Sequence, residues 1–119
     1  MSSSNLRIGV IILTLISSLI HFYICIDVVS TDGFSPLVIA WILNGIGYLG
    51  LLAAYLGYVP FFKGAITGWA LAAFAVITVI AWIIIDDHTA IIGWITAAIE
   101  LVLALMVYLR MRGEAATAA

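Results

Sequence analysis

His21 and Glu100 are the two ionisable side chains that fall inside long apolar runs of this chain, and their chemistry sets the first question. Charged groups in hydrocarbon are costly, usually face a bundle interior and mark sites by default. A carboxylic acid such as Glu100 can carry a proton or couple to a cation. It can equally serve as a structural acid bonded to Tyr48 or Thr14, or contact another subunit. The imidazole of His21 can ligate the metal of a haem or chlorophyll, or sit as a satisfied structural histidine, which is the reading preferred here. The other histidine, His88, lies in a turn about 9 Å shallower, a poor match for a bis-histidine haem.

Conventional catalytic patterns are missing. There is no CxxC or HExxH spacing, no Gly-rich phosphate loop, and no Ser/His/Asp set at one depth. Asp86-Asp87-His88 reads as a solvated turn, because adjacent residues on a turn rarely point at one ion. No enzyme activity and no metal site are expected.

The elements that must position these groups follow from composition. Of 119 residues, 66% are hydrophobic and 8% charged, with a mean hydropathy of +1.33, whereas soluble domains carry about 25% charge. The expected fold is all-α, a four-transmembrane-helix antiparallel bundle forming a single membrane domain over 1–119. Its spans fall at about 8–26, 37–58, 65–85 and 89–109, each close to the ~20 residues that cross ~30 Å of hydrocarbon. Between them lie a polar turn from Asp27 to Pro36, a tight connection at Pro60, Lys63 and Gly64, and the Asp86-Asp87-His88 turn. Thr89 is positioned to cap the last span. The run from Ile8 to Ile26 exceeds a signal-peptide h-region and no small-x-small site follows it, so a retained first helix is expected. Cys25 has no disulfide partner and no lipobox-like context, and reads as a small core residue.

Arg7, Lys63, Arg110 and Arg112, all four basic residues, fall at one side of this layout, and four of the six carboxylates, Asp27, Asp32, Asp86 and Asp87, fall at the other. By the positive-inside rule both termini are cytoplasmic, in the cell's inner membrane. Trp41, Trp82 and Trp94 near the outer ends and Trp69 near the inner one suit interfacial anchoring. Four helices joined by short loops leave no extramembrane domain for a nucleic-acid surface, and a net charge of -2 argues against a polybasic lipid-binding segment. The expected partners are therefore the surrounding membrane lipids and other membrane subunits or a second copy of the chain.

Depth arithmetic separates the two intramembrane groups. Six residues from Asp27 put His21 ~9 Å deep, and thirteen from Asp87 put Glu100 ~20 Å deep, too far apart for a direct hydrogen bond. Counting from Pro36, Asn44 lies ~12 Å deep near His21 and Tyr48 ~18 Å deep near Glu100, with Thr14, Ser17 and Ser18 between. One site holding both His21 and Glu100 is therefore not expected. Small residues mark close-packing faces: Gly45, Gly47, Gly50, Ala54 and Gly57 on the second span, and Gly64 and Gly68 on the third.

Four helices in little more than a hundred residues invite comparison with the small multidrug resistance transporters. Those carry a coupling glutamate in the first helix, where this chain has Thr14, Ser17, Ser18 and His21. Leu19-Ile20-His21-Phe22-Tyr23 together with Leu43-Asn44-Gly45-Ile46-Gly47-Tyr48-Leu49-Gly50 resembles instead a group of small four-helix prokaryotic, haloarchaeal-like membrane proteins. That resemblance implies the four-helix fold and carries no activity with it. The functional expectation is a non-catalytic accessory subunit that packs against a larger membrane complex, in the first place a respiratory or photosynthetic electron-transfer assembly. The alternative is a small homodimeric proton- or cation-coupled transporter using Glu100, lined by Tyr48 and Asn44.

Overall fold

A computed structural model describes residues 2–118 as four helices: α1 Ser3–Asp32, α2 Pro36–Tyr55, α3 Ala65–Ile85 and α4 Ile91–Ala118. All four are long and apolar enough to cross a membrane. The chain is thus all-α and of the multi-pass membrane type.

Local chemistry explains where the helices start and stop. Ser2 caps α1, its side chain accepting from the Asn5 N–H at 3.1 Å. The helix ends at Gly33, whose φ of 79° suits a residue without Cβ and whose N–H closes on the Val29 carbonyl at 3.1 Å. Ser30 and Thr31, expected in a polar turn, are helical instead. Their hydroxyls donate back to the carbonyls of Ile26 and Asp27 at 2.7 and 3.0 Å, which satisfies them without leaving the helix. The connection to α2 shrinks to Gly33, Phe34 and Ser35. Ser35 then caps α2 by accepting from the Val38 N–H at 3.3 Å, with Pro36 pre-set in the first turn.

α2 stops at Tyr55, earlier than expected, and Gly57 at φ 89° turns the chain. Gly64, also at φ 89°, leads into α3. Thr89 falls before α4: its N–H and hydroxyl donate to Asp87 Oδ1 at 3.1 and 2.9 Å, and the helix begins two residues later at Ile91. α4 also runs past Leu109 to Ala118 with Gly113 inside it, and Arg110 in this extension is held by three partners.

Packing follows a ring, in which α1 touches α2 and α4, and α3 touches α2 and α4. The core contains Val10 from α1, Tyr48 from α2, Leu71 and Ala75 from α3, and Leu103 and Val107 from α4. The buried stripe of α1 includes Thr14, Ser17, Ser18 and His21, while Ile8, Ile12, Leu15, Leu19 and Ile26 face outward. Polar groups inside and aliphatic ones outside invert the pattern of a soluble helix, and they suit a solvent of lipid tails.

Close approaches use some of the expected glycines and not others. A methyl at Gly45 would meet Phe22 Cζ at 2.9 Å, at Gly47 Phe74 Cζ at 2.6 Å, and at Gly68 Met111 Sδ at 2.5 Å. Ala54 is buried. Gly50, Gly57 and Gly64 have no neighbour within 4 Å of that position, so none of the three packs a helix in this chain. Gly57 and Gly64 serve the turn, and Gly50 faces outward. Two packing glycines escaped the small-xxx-small reading: Gly9 against Met106, and Gly93, where a methyl would lie 2.7 Å from Trp82 Nε1.

Candidate functional site

The middle of the bundle holds the polar cluster. Tyr48 Oη donates to Glu100 Oε2 across the bundle from α2 to α4. Glu100 is 2% exposed and Tyr48 fully buried. The Phe74 ring stands edge-on to Tyr48 with centroids 4.8 Å apart, and the His21 ring lies on another side at 5.9 Å. Thr78 of α3 sits beside the Tyr48 phenol.

His21 and Glu100 do not bond to each other, yet they belong to one cluster, because Tyr48 touches both. Side chains lean toward the N-terminus of their own helix. Ser18 meets Gly45 and Cys25 meets Val38, so residue numbers rise along α1 as they fall along α2. His21 and Tyr48 therefore lean toward each other, and a tyrosine is long enough to cover the remaining gap. Depths counted along helix axes omit this lean and reach.

The other expected members are placed differently. His21 Nδ1–H donates to the Ser17 carbonyl at 2.7 Å, which fixes where that proton sits, since a carbonyl only accepts. A second-nitrogen bond of this kind would suit an axial metal ligand. However, the ring is 6% exposed and enclosed by its own bundle, so a haem or chlorophyll macrocycle does not fit against it. Asn44, expected beside His21, donates instead to Thr78 Oγ1 at 2.8 Å on the α3 side. Thr14 does not reach Glu100. Its hydroxyl returns to the Val10 carbonyl at 2.7 Å, as serine and threonine commonly do inside apolar helices. Two buried polar atoms, Ser17 Oγ and Asn44 Oδ1, have no hydrogen-bond partner among the described residues.

The turn after α3 is a compact knot. Asp86 Oδ2 accepts from Trp82 Nε1 at 2.9 Å and from the His88 N–H at 3.0 Å. His88 Nε2–H faces the Trp82 carbonyl at 3.2 Å, and Trp94 Nε1 donates to the His88 carbonyl at 3.2 Å. The Trp82 and Trp94 rings meet edge-to-face at 4.9 Å. These bonds hold His88 at φ 63°, the left-handed region unusual for a residue with a side chain. Asp86 and His88 are thus structural rather than freely solvated. No group of three His, Cys, Asp or Glu that could hold a metal exists among the described residues.

At the opposite end Arg110 ties three helices together. Its guanidinium donates to Tyr55 Oη at 2.8 Å and to Ser3 Oγ at 3.2 Å, and pairs with Glu114 at 3.1 Å. Neither this hub nor the tryptophan knot has a spacing motif, and the complementary residue types at matching ends were the only available signal. Comparison with protein-family models, curated proteins and solved structures found no match to this chain.

Proposed function

We propose that this chain is a non-catalytic integral membrane subunit whose apolar exterior packs against a larger membrane complex. The observation that carries the reading is closure: Glu100, Tyr48 and His21 are enclosed by helices of one chain, and Glu100 takes its hydrogen bond from within that chain. A coupled carrier needs its carboxylate open to substrate or water from alternating sides. A sealed Glu–Tyr pair instead stiffens the bundle and leaves the outer surface for contacts. That surface is broad and aliphatic, with Leu19, Ile46, Ile77, Ile84 and Leu105 among its exposed residues.

The topology proposed is an up-down-up-down antiparallel bundle in the cytoplasmic membrane with both termini inside. Opposed contacts such as Gly68 with Met111 and Trp82 with Gly93 support the antiparallel sense. Arg7, Lys63, Arg110 and Arg112 support the orientation. The proposed host class is a respiratory or photosynthetic electron-transfer assembly. Native membranes solubilised in mild detergent test this. The tagged chain is expected to co-purify with larger subunits, and migration alone or as a small homo-oligomer would refute the reading.

A second reading has one observation in its favour. Glu100, Tyr48 and His21 form a continuous run of titratable groups from α4 to α1, the kind of run a proton path uses. A homodimeric proton- or cation-coupled transporter would then lose pH-dependent flux in proteoliposomes on Glu100→Gln. The accessory reading expects no Glu100-dependent flux at all.

A further inference from the structure

The basic end of the bundle opens into a groove of about 680 Å³ between the end of α2, the start of α3 and the last turns of α4. Its space comes from small residues. Ala54, Gly57, Gly64 and Gly68 lie along it, and Gly57 and Gly64 have no atom within 4 Å of where a Cβ would sit. Gly57 and Gly64, which suggest helix contacts in the sequence, therefore leave open volume at this end.

The walls combine aromatic surface with cations. Trp69 and Tyr108 line one side, edge-to-face with centroids 6.3 Å apart, both partly exposed toward the surroundings. Arg110 and Arg112 line another, against a single carboxylate, Glu114, so the groove keeps a net positive charge. The two arginines differ. Arg110 is committed to Tyr55, Ser3 and Glu114, whereas no hydrogen bond or ion pair engages Arg112 among the described residues.

A guanidinium with no partner among the described residues, lining the same groove as a half-exposed tryptophan and tyrosine at the end of membrane-length helices, fits one kind of occupant. The planar fork of arginine matches two oxygens of a phosphodiester. The aromatic pair suits the boundary where glycerol gives way to acyl chain. The volume lies in the range of ordinary small-ligand sites. We propose that this groove binds the headgroup of an anionic phospholipid, with Arg112 as the phosphate ligand and Trp69 and Tyr108 flanking the glycerol. The proposal rests on the membrane reading but not on the host complex, so either can fail alone.

The test incubates the full chain in detergent with mixed micelles of phosphatidylglycerol and phosphatidylcholine of matched acyl chains. Lipid retained through size-exclusion chromatography is then quantified by mass spectrometry. Phosphatidylglycerol should be retained selectively, and Arg112→Gln should reduce its retention about tenfold, the scale of a lost charge-assisted contact. Ala115→Trp, which fills the groove without altering charge, should reduce it as well. Arg7→Gln, which removes a cation outside the groove, should leave it unchanged, and so should millimolar inorganic phosphate. Equal retention of both lipids, equal losses from the Arg7 and Arg112 variants, or displacement by free phosphate would each overturn the proposal. Unchanged helical circular dichroism of each variant shows that the bundle remains folded, and Ala115→Trp tests the site independently of any arginine.

Discussion

Tyr48 and Tyr55 lie two turns apart on α2, and each gives or receives a hydrogen bond with a charged-type residue of α4, to opposite effect. In the middle, Tyr48 meets Glu100 with Val10, Leu71 and Leu103 in the same core, and both members of the pair are buried. At the basic end, Tyr55 accepts from Arg110 beside a groove that glycines hold open. Backbone register brings both tyrosines to α4, so the difference lies in what surrounds them. Branched aliphatic residues close the first pair, and residues without side chains open the second. The middle is therefore closed by its own side chains, whereas the end keeps an open groove.

The largest expected contrast comes from truncating the two tyrosines. Tyr48→Ala leaves a cavity and an unpartnered buried carboxyl, and should destabilise the bundle by about 3–5 kcal/mol in detergent unfolding. Tyr55→Ala should cost well under half of that, and equal losses would erase the distinction between a sealed middle and an open end. Next come the glycines. Gly45→Val forces a branched side chain into the Phe22 ring and should cost about 1–3 kcal/mol. Gly50→Val meets nothing and should stay within about 0.5 kcal/mol. A smaller effect is expected from removing one oxygen: Tyr48→Phe should cost about 0.6–1.7 kcal/mol, the measured scale for intramembrane hydrogen bonds. Glu114→Gln, at a solvent-exposed pair, should change stability by less than about 1 kcal/mol.

The smallest effect lies at the turn between α3 and α4, outside both regions. The backbone N–H of Thr89, helped by its hydroxyl, holds the Asp87 carboxyl below its ordinary value of 3.8. A depressed folded value means that this contribution is complete above pH 3.8 and is lost as pH falls through the lower folded value. Tryptophan fluorescence from the adjoining Trp82–Trp94 pair should follow that titration only at the acid end. A transition near neutrality would mean that another group controls the turn.

Much of the architecture is legible from composition alone, because four runs of membrane length separated by turn residues leave few alternatives. Helix ends are less so. Ser30 and Thr31 are turn formers by type, yet inside a membrane-length helix they bond to their own carbonyls and continue it. Glycine spacing has the same ambiguity, since Gly47 faces Phe74 while Gly50, less than a turn later, faces outward. Spacing gives the face and not the neighbour. Counting residues from the turns brings Tyr48 level with Glu100, but it misses that Tyr48 also reaches His21, because axial depth ignores side-chain length and lean. The Arg110 hub and the Trp82–His88–Trp94 knot join residues whose partnership depends on how helix ends meet, which no periodicity encodes.

The claim that the interior is sealed can be tested at one atom group. Dicyclohexylcarbodiimide, an apolar reagent, modifies membrane carboxyls that lipid or water can reach. In native membranes Glu100 should remain unmodified while Tyr48→Ala exposes it to labelling, as read by mass spectrometry of the α4 peptide. Stoichiometric labelling of Glu100 in the wild-type chain would contradict a closed middle and favour the transport reading.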